Sequence, residues 1–345
     1  MAKFFTMSIS SSPHIRSNES TQTIMRDVLI ALVPALIGAC WFFGFRALTL
    51  SLVSIAACVF FEWLYRKVMK KDSTVYDLSA AVTGLLLAMV CPVGIPYWTL
   101  IIGDFIAIVL VKQLYGGIGK NFLNPALTAR AFMFSWAALM TTWAPVGSRM
   151  PIFESTQKAL DAASAATPVG SLDAISAATP LASLHTGVLP TDFTIFDAFL
   201  GSIGGSLGET SALLLLIGGL YLVVRKVISV RIPLVFIGTV AVLTFLFPQG
   251  NDRLVWMAWN LFSGGLFLGA IFMATDYCTS PVTKAGQVIF AIGCGALTVF
   301  IRYFGSYAEG VSYAILVMNA CVGLLDKVGM PKRFGVIHKK GGKQA

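Results

Sequence analysis

The chain has 345 residues, of which 57% are hydrophobic and 12% are charged, about half the charged fraction of a typical soluble protein. A water-soluble core of this size has no room for so much apolar surface. The composition therefore excludes a soluble globular protein and predicts a chain that crosses a lipid bilayer several times.

Apolar segments separated by polar or turn-forming residues predict an all-α membrane protein with about ten transmembrane helices. They form two groups of five on either side of a long polar stretch. The predicted spans are 28–44, 47–65, 78–92, 97–115 and 125–142, then 209–225, 232–248, 254–273, 286–304 and 311–326. The predicted parts of the chain are a tail (1–27), a first half (28–142), a loop (143–208), a second half (209–326) and a basic tail (327–345).

The distribution of basic residues predicts the orientation in the membrane. With the N-terminus inside, the cytoplasmic segments hold 20 of the 25 Lys and Arg residues and the other side holds 5. By the positive-inside rule, both termini are predicted to lie in the cytoplasm, and the loop at residues 143–208 is predicted to lie outside. The net charge of +9 is thus a topology signal, and no nucleic-acid partner is predicted from it.

Two halves with an odd number of spans each must enter the membrane in opposite orientations if they share an ancestor. TGLLLAMVCP (83–92) and GGLFLGAIFMATDYCTSP (264–281) are each a Gly- and Leu-rich helix that leads into a proline-bearing turn. The similarity predicts a 5+5 inverted repeat with the functional site between the halves. Chance similarity between two Leu- and Gly-rich helices is the alternative.

The six cysteines are scattered and form no CxxC pair. A disulfide framework, an iron–sulfur site within this chain and any other metal site are therefore not predicted. Cys40 and Cys91 have two interpretations: buried small hydrophobic side chains, or single ligands to a cluster shared with another subunit.

The predicted outer loop contains DAASAATP at 161–168 and DAISAATP at 173–180, two copies of the pattern DxxSxAT. Small residues around a threonine leave its hydroxyl sterically open, so that such a segment fits the cleft of a modifying enzyme. A low-complexity Ala/Ser/Thr loop is the alternative.

The DxxSxAT pattern resembles the flavinylation motif of the family of RnfD and NqrB membrane subunits, in which the threonine hydroxyl is esterified to the phosphate of FMN. The blocks GIGKNFLNPALTARAF (117–132), GSLGETSALLLLIGG (205–219) and MATDYCTSPVTKAGQ (273–287) resemble the same family. The ATPLA ending of the second motif copy and the short cytoplasmic tail favour its RnfD members.

The resemblance implies a membrane subunit of an Rnf-type ferredoxin:NAD oxidoreductase in a bacterial inner membrane. Its covalent FMN would carry electrons, and their passage would be coupled to translocation of Na⁺ or H⁺. The implied partners are the other Rnf subunits, a flavin transferase during maturation and the membrane lipids. No complete active site and no catalytic residue are expected in this chain alone.

Carried over onto this sequence, the family motif implies Thr179 as the FMN acceptor. Asp173, Ser176 and Ala178 are then the motif positions that the transferase recognises. Thr167 lies in an equally complete motif and is the alternative acceptor. The sequence PLASLHTG after Thr179 is closer to the family continuation, although both copies have alanine where the family most often has glycine.

Two further sites are predicted within the membrane halves. Asp104 lies halfway along the fourth predicted span, with its first basic neighbour, Lys112, two helical turns further on. A carboxylate at this depth must be protonated, paired or placed along an ion or water pathway. Both the pathway and a hydrogen-bonded structural role stay open.

The turn around residues 117–132 combines flexible glycines with Asn121, Asn124 and Arg130 before and within a predicted helix. Such a turn suits an anionic or carbonyl-rich group, and the family resemblance implies a second, non-covalent flavin such as riboflavin near it. An interhelical cap packed against partner subunits is the alternative.

Two other classes of function remain as rivals. An inverted-repeat secondary transporter or channel without a redox role accounts for the topology and for Asp104, but it leaves DxxSxAT unexplained. A structural anchor for redox partners fits an unmodified loop.

Overall fold

The computed structural model describes residues 19–141, 143, 152, 179–190, 193–209, 211–250, 252–305 and 309–328. Every regular element in these ranges is a helix, which confirms the predicted all-α fold. The first half contains α1 (Thr21–Phe43), α2 (Phe45–Val68), α3 (Ser79–Met89), α4 (Tyr97–Phe105), α5 (Pro125–Met133) and α6 (Ala137–Met140). Between the halves lie α7 (Pro180–His185) and α8 (Ile195–Leu200). The second half contains α9 (Ala212–Val224), α10 (Arg231–Leu246), α11 (Arg253–Phe262), α12 (Leu266–Leu268), α13 (Lys284–Phe304) and α14 (Val311–Leu325).

Each of the ten predicted spans overlaps at least one of these helices. By length and composition, α1, α2 and α13 can each cross a bilayer, as can the segment Arg253–Phe262 with Leu266–Met273 if this bent pair is one span. Shorter apolar helices are α3, α9, α10 and α14. The chain is therefore a polytopic helical membrane protein, in which several helices are shorter than the bilayer.

Helix α1 begins at Thr21, within the predicted tail (1–27) and seven residues before the predicted start of the first span at residue 28. Ser20 is its N-cap and forms a reciprocal capping box with Thr23, which satisfies donors that the first helical turn leaves free. The short polar segment before the first apolar run is thus the first turns of the helix. Gly44, with φ of +82°, separates α1 from α2.

Helix α3 is short, and all of its 11 residues are buried. At 1.5 Å per residue it is about 17 Å long, roughly half of the hydrocarbon thickness. Its counterpart in the second half is the segment Leu266–Met273, made of α12 and a π-helical turn, in which every residue is also buried. Both halves therefore place a short helix in the interior of the protein.

The eighth predicted span, 254–273, is two helices that meet at an angle of 61°. The break lies at Ser263–Gly265, where Gly264 has φ of +76°. Glycine adopts this left-handed conformation without a steric penalty, so the bend has a local cause in the sequence. The fifth predicted span is also interrupted, by a 3₁₀ turn at Phe134–Trp136.

The same packing recurs in the two halves. Helix α2 packs on α3 and α4, and in the second half α10 packs on α11 and α13. Across the interface, α1 packs on α9 and α5 packs on α14. These equivalent pairings agree with the predicted repeat of the two halves.

The segment between the halves is folded where the structure describes it. Helices α7 and α8 pack on α11 through a small apolar cluster that contains Leu181, Leu184, Ala198, Trp256 and Trp259. This cluster fixes the position of residue 179, which immediately precedes α7.

Candidate functional site

Thr179 lies at the edge of a small pocket of about 290 Å³, here called the Thr179 pocket. Its side-chain oxygen accepts a hydrogen bond from the backbone N–H of Ala182 at 3.2 Å, as the N-cap of α7. The hydrogen of the Thr179 hydroxyl is not used in this hydrogen bond, so it remains available to be replaced in an ester. The rest of the lining consists of Pro180, Leu181, Ile203, Gly204, Gly205, Glu209, Ser263, Gly264 and Glu309.

The walls of the Thr179 pocket suit a phosphoryl group. The glycine-rich stretches at 204–205 and at Gly264 bring backbone to the pocket without side chains. The hydroxyl of Ser263 is buried and has no hydrogen-bond partner among the described residues. An unpaired buried donor beside Thr179 is the kind of group that a phosphate oxygen satisfies, so the residues present fit FMN attached at this position.

A second cavity of about 300 Å³ adjoins the first and shares Leu181, Glu209 and Glu309 with it; it is called the arginine cavity here. Arg130 from α5 reaches into it, donates to Glu309 and Ser312 and lies 3.9 Å from a carboxylate oxygen of Glu209. The Arg130 side chain is nearly inaccessible to solvent. This buried ion pair therefore joins α5 of the first half to the start of α14 in the second.

Arg302, near the end of α13, also lines the arginine cavity. Its guanidinium donates to the backbone carbonyls of Asn260 and Ser263, and its buried Nε has no hydrogen-bond partner among the described residues. The carbonyl oxygen of Arg302 is 2.7 Å from Nδ1 of His185, which ties α7 to α13. The two arginines balance the charges of the two glutamates, so an added phosphodiester would meet a nearly neutral surrounding.

A larger cavity, here called the amide cavity, lies on the side predicted to be cytoplasmic. Asn121 and Asn124 contribute amides, and Lys112 and Asp276 contribute charges. Its other walls are formed by Met25, Val28, Ser79, Val82, Thr83, Leu86, Ile118, Pro125, Ala126, Leu222, Ile228, Phe272, Thr275, Tyr277 and Cys278. Apolar walls with a few convergent polar groups are typical of a small-molecule site.

Asn124 also has a structural role in the amide cavity. Its Oδ1 accepts from the backbone N–H groups of Ala126 and Leu127 as the N-cap of α5, and its Nδ2 donates to the carbonyl of Met273 at 3.3 Å. Asn121 donates to the carbonyl of Leu123. Both interpretations of this turn, a cap and a ligand contact, therefore have a structural basis.

The two cavities show the relative direction of the short helices. Ser79 at the start of α3 and Thr275 just after Leu266–Met273 line the amide cavity, whereas Val90 just after α3 and Gly265 just before α12 line the arginine cavity, which also extends along Gly269 and Met273. The two short helices thus run in opposite directions, as an inverted repeat requires.

Of the other predicted residues, Arg130 does not join Asn121 and Asn124, because it lines the arginine cavity and not the amide cavity. Asp104 is fully buried and accepts hydrogen bonds from Ser54 and Cys58. Thr167, Asp173, Ser176 and Ala178 lie outside the described residues.

Sequence reasoning missed a buried polar cluster around Glu62. Its carboxylate pairs with Lys112 at 2.8 Å and accepts from Gln113 and Thr74, and Lys112 also donates to Ser79. Lys112 is therefore paired with Glu62, and Asp104 has neutral partners instead. Glu62 and Lys112 stand near the ends of two apolar spans, which is the signal that was available in the sequence.

These features define a class of protein: a polytopic helical membrane protein with polar cavities on both sides of the interface between its first and second halves. The chain belongs to the NQR2, RnfD, RnfE family, whose model matches residues 8–335. This confirms the resemblance found in the sequence motifs.

Several relatives match over nearly their full length. The D-type subunit of the Na⁺-translocating ferredoxin:NAD⁺ oxidoreductase complex of Acetobacterium woodii is 44% identical, over 96% of each chain. The D-type subunit of the proton-translocating ferredoxin:NAD⁺ oxidoreductase complex of Clostridium ljungdahlii is 43% identical, over 95% of this chain and 96% of its own. The corresponding subunit of the ion-translocating oxidoreductase complex of Stutzerimonas stutzeri is 39% identical, over 92% of each.

Proposed function

We propose that the chain is the RnfD-type subunit of a redox-driven ion translocase of the ferredoxin:NAD⁺ oxidoreductase type, and that it carries FMN esterified to Thr179. The names and full-length similarity of the relatives support the first part. The observation that carries the second part is the position of the Thr179 hydroxyl beside a glycine-walled pocket with an unpaired buried donor.

The local structure tolerates this modification. An esterified threonine oxygen keeps lone pairs, so it can still accept from Ala182 and cap α7. The phosphoryl group would be held by the hydroxyl of Ser263, and the nearby guanidinium groups of Arg130 and Arg302 would keep the carboxylates of Glu209 and Glu309 from repelling it. The bound flavin supplies redox chemistry that no side chain of this protein offers, while the protein sets its position and surroundings.

An electron that reaches a redox group on the predicted outer side must cross the electric field of the membrane. Each elementary charge that crosses the bilayer gains or loses about 2.3 kcal/mol per 100 mV. Electron passage to and from Thr179 is thus a step to which ion movement can be coupled. The relatives named above translocate Na⁺ in one case and protons in another, and either ion is compatible with this scheme.

The amide cavity is proposed to hold a second, non-covalent flavin such as riboflavin. Its largely apolar walls suit a planar ring system, and the amides of Asn121 and Asn124 suit the carbonyl and imide edge of a flavin. Arg130 is not part of this proposal, because it lines the other cavity.

The proposed setting is a bacterial inner membrane with both termini in the cytoplasm. The partners are the other Rnf subunits, surrounding lipids and a flavin transferase that acts on the predicted outer loop. Numerous exposed apolar side chains on α1 and α2, such as Trp41 and Phe45, provide surface for lipid or subunit contact.

The test is to produce the chain with its flavin transferase and to measure in-gel flavin fluorescence and intact mass. The wild-type chain is expected to carry one FMN adduct, which Thr179→Ala removes and Thr167→Ala retains. Thr186→Ala is a matched control, because Thr186 bonds to Ser183 in the same segment and does not line the Thr179 pocket. An adduct that survives Thr179→Ala and is lost in Thr167→Ala would show that Thr167 is the acceptor. A wild-type chain without any adduct would contradict the electron-carrier role.

The rival transporter hypothesis receives no specific support. The repeat and the buried Asp104 fit it, but relatives at 39% to 44% identity are named as oxidoreductase subunits. Family membership therefore favours the redox function over an independent transporter.

A further inference from the structure

Asp104 lies near the end of α4, and its side chain has no access to solvent. Its Oδ1 is 2.6 Å from the Ser54 hydroxyl and 3.2 Å from the Cys58 thiol, both on α2. Its Oδ2 is buried without a hydrogen-bond partner among the described residues. The α-helix changes to π-type geometry at Ile106, immediately after this site, and π-type turns are frequent at functional positions.

The hydroxyl of Ser54 has one hydrogen but two acceptors within reach. The carbonyl oxygen of Gly84 on α3 is 2.8 Å away, and Oδ1 of Asp104 is 2.6 Å away on the other side. When Ser54 donates to Gly84, the short contact to Asp104 needs a proton on the carboxyl group. When Asp104 is ionised, Ser54 must turn its hydrogen to Asp104 and leave the Gly84 carbonyl. The contacts are thus compatible with two states, one with Asp104 protonated and one with Asp104 ionised.

Polar groups continue from Asp104 toward the predicted cytoplasmic side. Ser54, Cys58 and Glu62 are spaced four residues apart, so they share one face of α2. Glu62 is bound by Lys112, which lies two turns beyond Asp104 on the π-helical segment. This polar column ends at residues 72–74, where Thr74 donates to Glu62 at 2.5 Å.

The surroundings of Asp104 contain few other groups that titrate. Its nearest titratable neighbour is Cys58. The ion pair between Glu62 and Lys112 lies further along α2 and along the π-helical segment that follows α4. Helix α5 has one charged residue, Arg130, which is engaged by Glu309, and α3 has none. The polar groups nearest to Asp104 are therefore those on the α2 face, and Asp104 does not line the arginine cavity.

Helix α3 connects this site to the amide cavity. A Cβ atom at Gly84 would come within 2.7 Å of the Ser54 carbonyl oxygen, so α2 and α3 are in close backbone contact there. The opposite face of α3 contributes Ser79, Thr83 and Leu86 to the amide cavity. The helix that Ser54 contacts at Gly84 therefore also forms a wall of the proposed non-covalent flavin site.

We propose that Asp104 is a proton-carrying site, loaded from the predicted cytoplasmic side along the polar column, and that Ser54 links its protonation to α3 and the amide cavity. A thiol and a hydroxyl as the two observed partners suit a carboxyl that gains and loses a proton, because sodium prefers a shell of oxygen ligands. The proposal rests on the redox-driven ion movement proposed above and assigns its proton step to the first half.

The main test uses the intact complex in sealed vesicles with the Asp104→Asn variant. The amide has the shape of the neutral acid and can donate to Ser54, so assembly and flavin content are expected to match the wild type. Electron transfer is expected to persist while the number of ions moved per electron falls to background. Ser51→Ala is the control, because Ser51 is buried on α2 but bonds to Ala47 of its own helix; its ion-to-electron ratio should be unchanged. An unchanged ratio in Asp104→Asn would overturn the proposal.

A second measurement keeps the proposal testable if that variant does not assemble. Dicyclohexylcarbodiimide reacts with protonated carboxyl groups in apolar surroundings, and labelled peptides can be found by mass spectrometry. The wild-type complex is expected to be labelled at Asp104, less so as pH rises, and Ser54→Ala should change this pH profile. No labelling at any pH, or protection by Na⁺ at constant pH, would overturn the proton assignment. Labelling requires no flavin, so a labelled Asp104 with an unmodified Thr179 would contradict the FMN proposal alone.

Discussion

The Thr179 pocket with its adjoining arginine cavity and the amide cavity lie toward opposite ends of α3, and they are built from different groups. The first region is small and contains two arginines, two glutamates and glycine-rich backbone. The second is larger and has mostly apolar walls, with two amides and the charged groups of Lys112 and Asp276. The interface between the two halves thus has one region of paired charges and one region of mostly apolar walls. This difference supports the proposal of two distinct flavin sites.

The largest expected effect comes from breaking the charged region at Arg130. Removing one partner of a buried ion pair typically costs about 3–5 kcal/mol, because the other charge stays buried without compensation. Arg130→Met is therefore expected to lower the thermal stability of the detergent-solubilised complex strongly. Arg225→Met is the comparison, since Arg225 pairs with Asp27 but its side chain is 51% exposed. Equal losses in the two variants would show that the Arg130 cluster has no special role.

The amide cavity can be altered without touching the charged region. Asn121→Leu removes one amide from its lining and is expected to reduce the flavin released by acid extraction, while the covalent fluorescence at Thr179 stays constant. Gln287→Leu removes an amide that bonds to Pro281 outside the cavity, and it should leave both flavin signals as in the wild type. If Asn121→Leu lowers both signals together, the two sites are not independent.

A smaller effect is expected at the bend that forms one wall of the Thr179 pocket. In Gly264→Ala the new Cβ would lie 2.9 Å from Leu181 and 3.3 Å from Arg302, at a φ of +76°. Backbone strain of this kind costs about 1–3 kcal/mol, so both thermal stability and flavin attachment should decrease. Gly238→Ala, with nothing within 4 Å of the new Cβ, should leave both unchanged. Equal behaviour of the two variants would show that the bend does not shape the pocket.

The smallest effect concerns acid conditions at α8, beside the charged region. The Thr194 hydroxyl and backbone N–H donate to the carboxylate of Asp197 and hold its pKa below the ordinary value. A depressed pKa gives stability that is present above the unfolded-state pKa and is lost as pH falls through the folded-state pKa. Hydrogen exchange of the α8 amides should therefore show less protection below that pKa than at neutral pH. Thr194→Ala removes the hydroxyl donor but keeps the backbone N–H, so this pH dependence should become weaker; an unchanged dependence in the variant would show that the hydroxyl is not its cause.

The sequence predicted the helices better than the contacts between them. Ten apolar runs became helices because lipid and buried surroundings both favour apolar helical segments. Partners that are distant in sequence were not predictable: Arg130 and Glu309 are 179 residues apart, and Lys112 pairs with Glu62 across two helices. Arg130 was grouped with Asn121 and Asn124 because it is close in sequence. Helix α5 instead carries its side chain to a different cavity, a separation that only the three-dimensional packing reveals.

The central claim is that a covalent flavin on Thr179 and a non-covalent flavin in the amide cavity occupy two separate sites of one chain. The most direct test is a cryo-EM reconstruction of the intact complex purified with its native flavins. The account predicts density continuous with the Thr179 side chain in the charged region, and unattached tricyclic density against Asn121 and Asn124. An unmodified Thr179 side chain, together with an amide cavity that contains only lipid, would contradict it.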